Sequence, residues 1–146
     1  MKKKGELCRM DWNMDAEAVM RERFGCDNVL ALATVENGQP WVRSVNGYYE
    51  DGAFYVITYA LSNKMKQIAA NPSVALAGEW YTARGVGESL GFVGKPENAA
   101  MTAKLRQAFA GWIDNGHTNF EDEHTVILRI RVTGATLYAQ GTRYDL

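Results

Sequence analysis

Two short turns constrain the fold of this chain more than any other feature of its sequence. Asn37-Gly38 and Asp51-Gly52 each stand between runs of apolar and β-branched residues. Such pairs readily adopt the positive φ angles of a two-residue hairpin turn, so each predicts that its flanking runs pair as antiparallel strands. The sequence therefore predicts a three-stranded meander made of Asn28–Glu36, Gln39–Glu50 and Ala53–Tyr59.

The remainder of the chain alternates between helical and strand patterns. After the meander the patterns predict a helix at 62–70, which Asn71-Pro72 ends, and a strand at 73–81. A weaker strand interrupted by glycines follows at 85–94. A helix at 97–113 and two strands within 124–141 complete the prediction. Before the meander they predict a flexible arm at 1–10 and a helix at 15–25, with Asp15 as its N-cap and Gly25 at its end.

The number and length of these strands indicate the fold class. Six or seven short antiparallel strands joined by tight turns favour a small barrel over a parallel α/β sheet. A length of 146 residues suits a single domain spanning residues 1–146. We therefore expect a mainly β protein with flanking helices (α+β).

Composition excludes several classes of function. The net charge of −1 provides no overall field that would attract nucleic acid. No stretch reaches the roughly 18 consecutive apolar residues of a membrane span. The two cysteines and two histidines lack metal-binding spacing, and so few cysteines favour a reducing compartment. We expect a cytoplasmic protein with no bound metal that acts on neither nucleic acid nor membrane.

The junction between the third strand of the meander and the next helix carries polar and basic side chains. Thr58 ends the strand, while Ser62 and Lys64 lie at the start of the helix. A lysine there opposes the positive end of the helix dipole, a cost that a bound anion would offset. Arg43, on the neighbouring strand, suits bidentate binding of phosphate. The pattern predicts a site for a phosphate-sized anion, with ordinary solvated surface side chains as the open alternative.

Three segments carry a resemblance to a known family. "LATVENGQPWVRSV", "DGAFYVITYALSNKMKQIAANPSVAL" and "GEW" resemble the FMN-binding split barrels of the pyridoxamine 5′-phosphate oxidase-like family, most closely its short general-stress-protein branch. The shared motifs, within residues 28–80, are an Arg on the second strand, a Thr-x-x-x-Ser-x-Lys corner and an Asn-Pro helix stop. The resemblance implies a six-stranded antiparallel split β-barrel that works as a homodimer, with FMN bound between the subunits.

The same resemblance implies which residues bind the cofactor. It puts Arg43, Ser44 and Val45 along the flavin and its phosphate, Ile57 and Thr58 beside the isoalloxazine ring, and Ser62, Asn63 and Lys64 at the phosphate. In the oxidases of the family the position of Asn63 is commonly Arg, so one phosphate-binding charge is missing here. No catalytic side chain is singled out.

The function implied by the resemblance is electron transfer through FMN. We expect an oxidoreductase that passes electrons from a reduced donor, such as NAD(P)H, to a small-molecule acceptor. The oxidases carry an Arg-x-His-type substrate segment near their end, whereas this chain reads "GTRYDL", so we do not expect oxidation of pyridoxamine phosphate. Three alternatives remain open: an FMN-binding electron carrier, a stress-related flavin store, and a split barrel that binds haem or pyridoxal phosphate. The distance of His117 and His124 in sequence from the groove-forming segments speaks against haem.

Overall fold

A computed structural model describes residues 8–146, and side chains from residue 12 onward. Within this part of the chain there are eight strands and three α-helices, with a short 3₁₀ turn at Pro96–Asn98 before the third helix. The strands are β1 (Cys8–Asp11), β2 (Asn28–Glu36), β3 (Gln39–Glu50), β4 (Ala53–Tyr59), β5 (Ser73–Gly78), β6 (Tyr81–Phe92), β7 (Thr125–Ala139) and β8 (Thr142–Asp145). The helices are α1 (Met14–Phe24), α2 (Asn63–Ala70) and α3 (Ala99–Ala108).

Six of the described strands close into an antiparallel barrel. They follow the order β7-β4-β3-β2-β5-β6, and β6 pairs back with β7. Strand β8 adds to β7, and β1 pairs in parallel with β8. The six-stranded antiparallel split β-barrel expected from the sequence, mainly β with flanking helices, is confirmed. None of the helices in residues 8–146 is long and apolar enough to cross a membrane.

The meander is confirmed strand by strand. Its two turns have the predicted backbone, with φ of 50° at Asn37, 77° at Gly38, 48° at Asp51 and 83° at Gly52. These positive values match the twist of two-residue hairpins. They bring β2, β3 and β4 together in consecutive order.

The barrel core comes from the alternation of side chains along each strand. On β2, Leu30 and Leu32 point inward and are buried, while the alternating residues Val29, Ala31 and Ala33 face outward. Helix α1 closes one end of the barrel with Met20 and Phe24, and the ring of Phe24 contacts Phe54 edge-on at 5.8 Å. Each such side chain contributes about 1.5–3 kcal/mol by leaving water.

A second apolar cluster lies on the outside of the barrel. Leu105, Phe109 and Ile113 from α3 and the turn after it pack against Ile127 of β7. This cluster holds α3 against the side of the barrel that carries Ile57.

The N-terminal boundaries differ from the prediction. Asn13, not Asp15, is the N-cap of α1, because its side-chain oxygen accepts hydrogen bonds from the N–H groups of Asp15 and Ala16 at 2.9 and 3.1 Å. Gly25 ends the helix as predicted. Of the predicted arm, residues 1–7 lie outside the described residues. Residues 8–10 belong to β1, because their backbone pairs with β8.

Several later boundaries were also wrong. The strand predicted at 73–81 ends at Gly78, since Trp80 has a φ of 56° and lies in the turn to β6. Tyr81 begins β6, so the predicted fifth strand starts earlier than 85 and is long rather than weak. The helix predicted at 97–113 ends at Ala108, and the helix predicted from 62 begins at Asn63.

The two strands predicted within 124–141 are one continuous strand, β7. It pairs with β4 along one edge and with β6 along the other. A register shift at Arg84/Gly85 on β6 lets the ladder pass Gly134 without a turn. Pairing with β6, which continues past Gly134 after the pairing with β4 has ended at Arg131, therefore overrides the local turn signal of Thr133-Gly134.

Candidate functional site

An open cavity lies where β3 and the start of α2 meet at one end of the barrel. Its volume is about 410 Å³. The residues that line it are Glu36, Trp41, Val42, Arg43, Ser62, Asn63, Lys64 and Gln67. Two are basic and one is acidic, so the lining has a net positive charge.

Arg43 lies on the same face of β3 as buried Val45, two residues nearer the cavity. Its Nη1 donates to Thr34 Oγ1 and its Nη2 to Gln67 Oε1, both at 2.7 Å. Thr34 in turn donates its hydroxyl proton to Gln67 Oε1 at 2.5 Å. Partial burial lowers the pKa of Arg43, which nevertheless stays charged at physiological pH. The guanidinium is thus held by neutral oxygen atoms.

Lys64 lies in the first turn of α2. Its Nζ donates to Thr58 Oγ1 at 2.5 Å. Burial lowers the pKa of Lys64, and the nearby positive charge of Arg43 lowers it further. In residues 12–146 neither Arg43 nor Lys64 forms an ion pair with a carboxylate. The two cations therefore repel each other, and a bound anion would relieve this repulsion.

Ser62 precedes α2 in extended backbone, with φ of −69° and ψ of 158°. Its side chain does not cap the helix. Its Oγ is buried and has no hydrogen-bond partner within the residues whose side chains are described. A buried hydroxyl without a partner is costly, so this atom fits a ligand that accepts its proton. The set of donors suits a phosphate-sized anion.

Glu36 is a carboxylate at this site that the linear sequence did not reveal. It ends β2, far from α2 in the chain, and its Oε2 accepts a hydrogen bond of 3.4 Å from Gln67 Nε2. From the sequence, polar and basic side chains were expected at this corner. The fold brings this carboxylate to its rim, which reduces but does not cancel the positive charge.

The structure brings together half of the predicted site residues in the cavity and leaves the others around it. Arg43, Ser62, Asn63 and Lys64 line the cavity, and Thr58 is joined to it through the hydrogen bond from Lys64.

The other three predicted residues take different positions. The side chain of Val45 is buried in the barrel core. Ser44 is exposed on the opposite face of β3. Ile57 packs against the outer apolar cluster.

Sequence reasoning missed the two buried partners of Arg43. Thr34 breaks the inward apolar alternation of Leu30 and Leu32 on β2, and Gln67 falls on the buried face of α2. A polar residue at an inward position was the available signal, because buried polar groups need partners.

A second cavity of about 300 Å³ is lined by Thr58, which accepts the hydrogen bond from Lys64 of the first cavity. It is lined in part by Ile57, Tyr59, His117 and Asn119. From the sequence, His117 and His124 were both expected to lie away from the groove-forming segments. This was wrong for both histidines, because His117 lines this cavity and the ring of His124 lies edge-on to the ring of Tyr59, with their centroids 5.8 Å apart.

Comparison with known proteins identifies the family. Residues 16–138 match the family profile described as "Pyridoxamine 5'-phosphate oxidase". The chain belongs to the pyridoxamine 5′-phosphate oxidase family. No curated protein matches its sequence.

Solved structures of this family share the fold. General Stress Protein 26 from Bacillus anthracis str. Sterne is 19% identical, with a TM-score of 0.68 over 91% of this chain and 100% of that one. A protein described as FAD-binding from Mesorhizobium loti is 18% identical, with a TM-score of 0.65 over 81% and 90%. The heme storage protein HutZ from Vibrio cholerae is 16% identical, with a TM-score of 0.64 over 88% and 95%. At these identities the likeness shows the split barrel alone.

Proposed function

We propose that this protein binds FMN and uses it in electron transfer. The observation that carries the proposal is the pair of partly buried cations, Arg43 and Lys64, which lack a carboxylate partner in residues 12–146 and lie beside the unpartnered Oγ of Ser62. A phosphate monoester offers two negative charges and several acceptor atoms to these groups. Membership of the family supports a flavin as the group that carries the phosphate.

Each predicted residue has a distinct part in this proposal. Arg43, Lys64 and Ser62 hold the phosphate, and the side-chain amide of Asn63 lies at the same cavity. Thr58 fixes Lys64 by accepting its hydrogen bond.

The other predicted residues would help to seat the ring. Backbone groups of Ser44, Val45 and Ile57 would lie along it. FMN supplies the electron-transfer chemistry, and these residues bind it, orient it and limit its contact with water.

The proposed activity is oxidation of a reduced donor, such as NADH or NADPH, with reduction of a small-molecule acceptor. No acid or base side chain is required for hydride transfer to a bound flavin, so the proposal assigns no catalytic side chain. A non-enzymatic electron carrier or flavin store would use the same site. Steady-state oxidation of NADH and NADPH by the flavin-loaded protein, with and without acceptors, separates the enzyme from the carrier.

Haem is a second candidate ligand. The position of His117 beside Thr58 favours it, because an imidazole next to the cavity is a possible axial ligand. The likeness to HutZ extends only to the fold. A Soret band after addition of haem that His117→Ala abolishes would support this candidate over FMN.

A homodimer belongs to the same proposal. Strands β2, β3 and β5 turn an apolar face outward, which includes the exposed Val29, at 67%, and Val42, at 69%. Small side chains continue this face at Ala31, Ala33, Ala75 and Ala77. A flat apolar sheet beside the cavity suits a second copy of the chain. Trp41, 51% exposed, stands at the cavity edge and would be covered with the ligand.

Sedimentation of the wild type and of Val42→Glu tests the dimer. A dimer that becomes a monomer and loses FMN on substitution supports a site between subunits. Loss of neither would reject it. A cytoplasmic location is also proposed, since an exposed free thiol at Cys26 persists best in a reducing compartment.

The first experiment is a titration of the purified protein with FMN, followed by absorbance and by quenching of flavin fluorescence. We expect one FMN per chain and weaker binding of riboflavin, which lacks the phosphate. A protein that binds neither flavin contradicts the proposal.

A further inference from the structure

The guanidinium of Arg43 is held in place without losing its charge. Its two Nη atoms donate to Thr34 Oγ1 and Gln67 Oε1, each at 2.7 Å. The Thr34 hydroxyl gives its own proton to the same Gln67 oxygen. The oxygen therefore accepts two hydrogen bonds, one for each of its lone pairs.

Burial makes this arrangement unusual for a surface arginine. Gln67 is 5% exposed and Thr34 is fully buried, so water cannot replace their hydrogen bonds with Arg43. A buried carboxylate at the position of Gln67 would satisfy the same N–H groups, but it would also neutralise the guanidinium. A neutral amide fixes the direction of Arg43 and leaves its positive charge available.

Glu36 determines which way the amide of Gln67 points. Its Oε2 accepts a hydrogen bond of 3.4 Å from Gln67 Nε2, the amide atom that does not contact Arg43. A carboxylate accepts hydrogen bonds only, so it favours the orientation that presents the NH₂ group to Glu36 and the oxygen to Arg43. The relay runs from Glu36 through Gln67 to Arg43.

We propose that Gln67 is a positioning residue, which aims Arg43 at a phosphate monoester while keeping its charge uncancelled. This inference rests on the proposed function for the identity of the ligand as FMN, but not for the presence of an anion site. In this proposal Gln67 acts on the phosphate through Arg43. It lowers the loss of side-chain freedom that Arg43 would otherwise undergo on binding.

Two substitutions of Gln67 test the inference. Gln67→Leu keeps the bulk and frees the guanidinium, so we expect FMN affinity to fall about threefold to tenfold while riboflavin affinity stays constant. Gln67→Glu places a carboxylate against Arg43, so we expect a larger loss of FMN affinity than in Gln67→Leu, again with constant riboflavin affinity. Asn98→Leu is the control, because the Asn98 amide is equally buried, at 5% exposed, but lies outside the cavity. It donates to the backbone carbonyl oxygens of Leu90 and Phe92 at the end of β6.

Calorimetric titration with inorganic phosphate separates this inference from the proposed function. Wild-type protein that binds phosphate but no FMN keeps the inference and rejects the flavin, provided that both Gln67 variants weaken phosphate. The inference is overturned if both Gln67 variants keep the wild-type ratio of FMN affinity to riboflavin affinity. It is also overturned if both variants bind inorganic phosphate as tightly as the wild type. Failure of the wild type to bind phosphate and FMN also overturns it. Equal effects in Asn98→Leu would show a general loss of stability, which is the structural role the inference excludes.

Discussion

Replacing Lys64 with methionine separates the binding of phosphate from the binding of the flavin ring. Methionine keeps the length of the side chain and its helix propensity but removes the charge. Lys64 is partly buried, donates to Thr58 and faces the charge of Arg43. The substitution therefore removes a charged donor from the proposed phosphate site and leaves the ring contacts intact.

The magnitude follows from the value of one charge-assisted hydrogen bond. Such a bond to an ionised acceptor is worth about 1.5–3 kcal/mol. At about 1.4 kcal/mol per factor of ten, FMN affinity should fall roughly 10-fold to 150-fold. Riboflavin affinity should change by less than about twofold, since riboflavin carries no phosphate.

The stability of the flavin-free protein supplies a second readout. The lost hydrogen bond to Thr58 costs about 0.5–1.5 kcal/mol. Relief of repulsion with Arg43 and of the desolvation of Lys64 acts in the opposite direction. We expect the free energy of unfolding to change by less than about 1 kcal/mol, which excludes unfolding as the cause of weaker binding.

Fluorescence titration with both flavins and urea unfolding without flavin measure these quantities. Lys66→Met is the matched control, because Lys66 lies on the exposed side of the same helix. Equal weakening of FMN and riboflavin, or unchanged FMN affinity, would refute the assignment of this corner to phosphate.

Three further predictions concern pH, the buried tyrosines and the first helix. FMN affinity should fall as the pH rises from the lowered pKa of Lys64 towards 10.5, its ordinary value, because Lys64 loses its charge. Over the same range the flavin-free protein should become more stable, because the unfolded chain binds more protons than the folded one. FMN titrations and unfolding curves at several pH values check both trends. Tyr49→Phe should cost about 1–2 kcal/mol of unfolding free energy, since the Tyr49 hydroxyl donates to Glu17 at 2.7 Å. Tyr81→Phe should leave the stability unchanged or raise it, since the buried Tyr81 hydroxyl has no partner among the described side chains. Chemical denaturation of both variants tests the difference. Asn13→Ala should cost about 1 kcal/mol through loss of the α1 cap and leave FMN affinity unchanged, as thermal unfolding and titration would show.

Local signals in the sequence were sufficient wherever a few neighbouring residues decide the backbone. Asn37-Gly38 and Asp51-Gly52 specify turns through their own φ angles, and those turns determine the pairing of β2, β3 and β4. The corner of Ser62 and Lys64 was likewise visible, since charge at a helix start is a local property.

Tertiary structure decided what depends on residues far apart in the chain. Pairing with β6 keeps β7 continuous through Gly134, and no local pattern encodes that distant partner strand. Packing of α2 against β2 brings Gln67 to Arg43 and Glu36, although the three residues lie on three different elements. The sequence by itself determined which charges are available at the corner. Only the fold decided what holds them in place, because buried hydrogen-bond partners are chosen by packing and not by order along the chain.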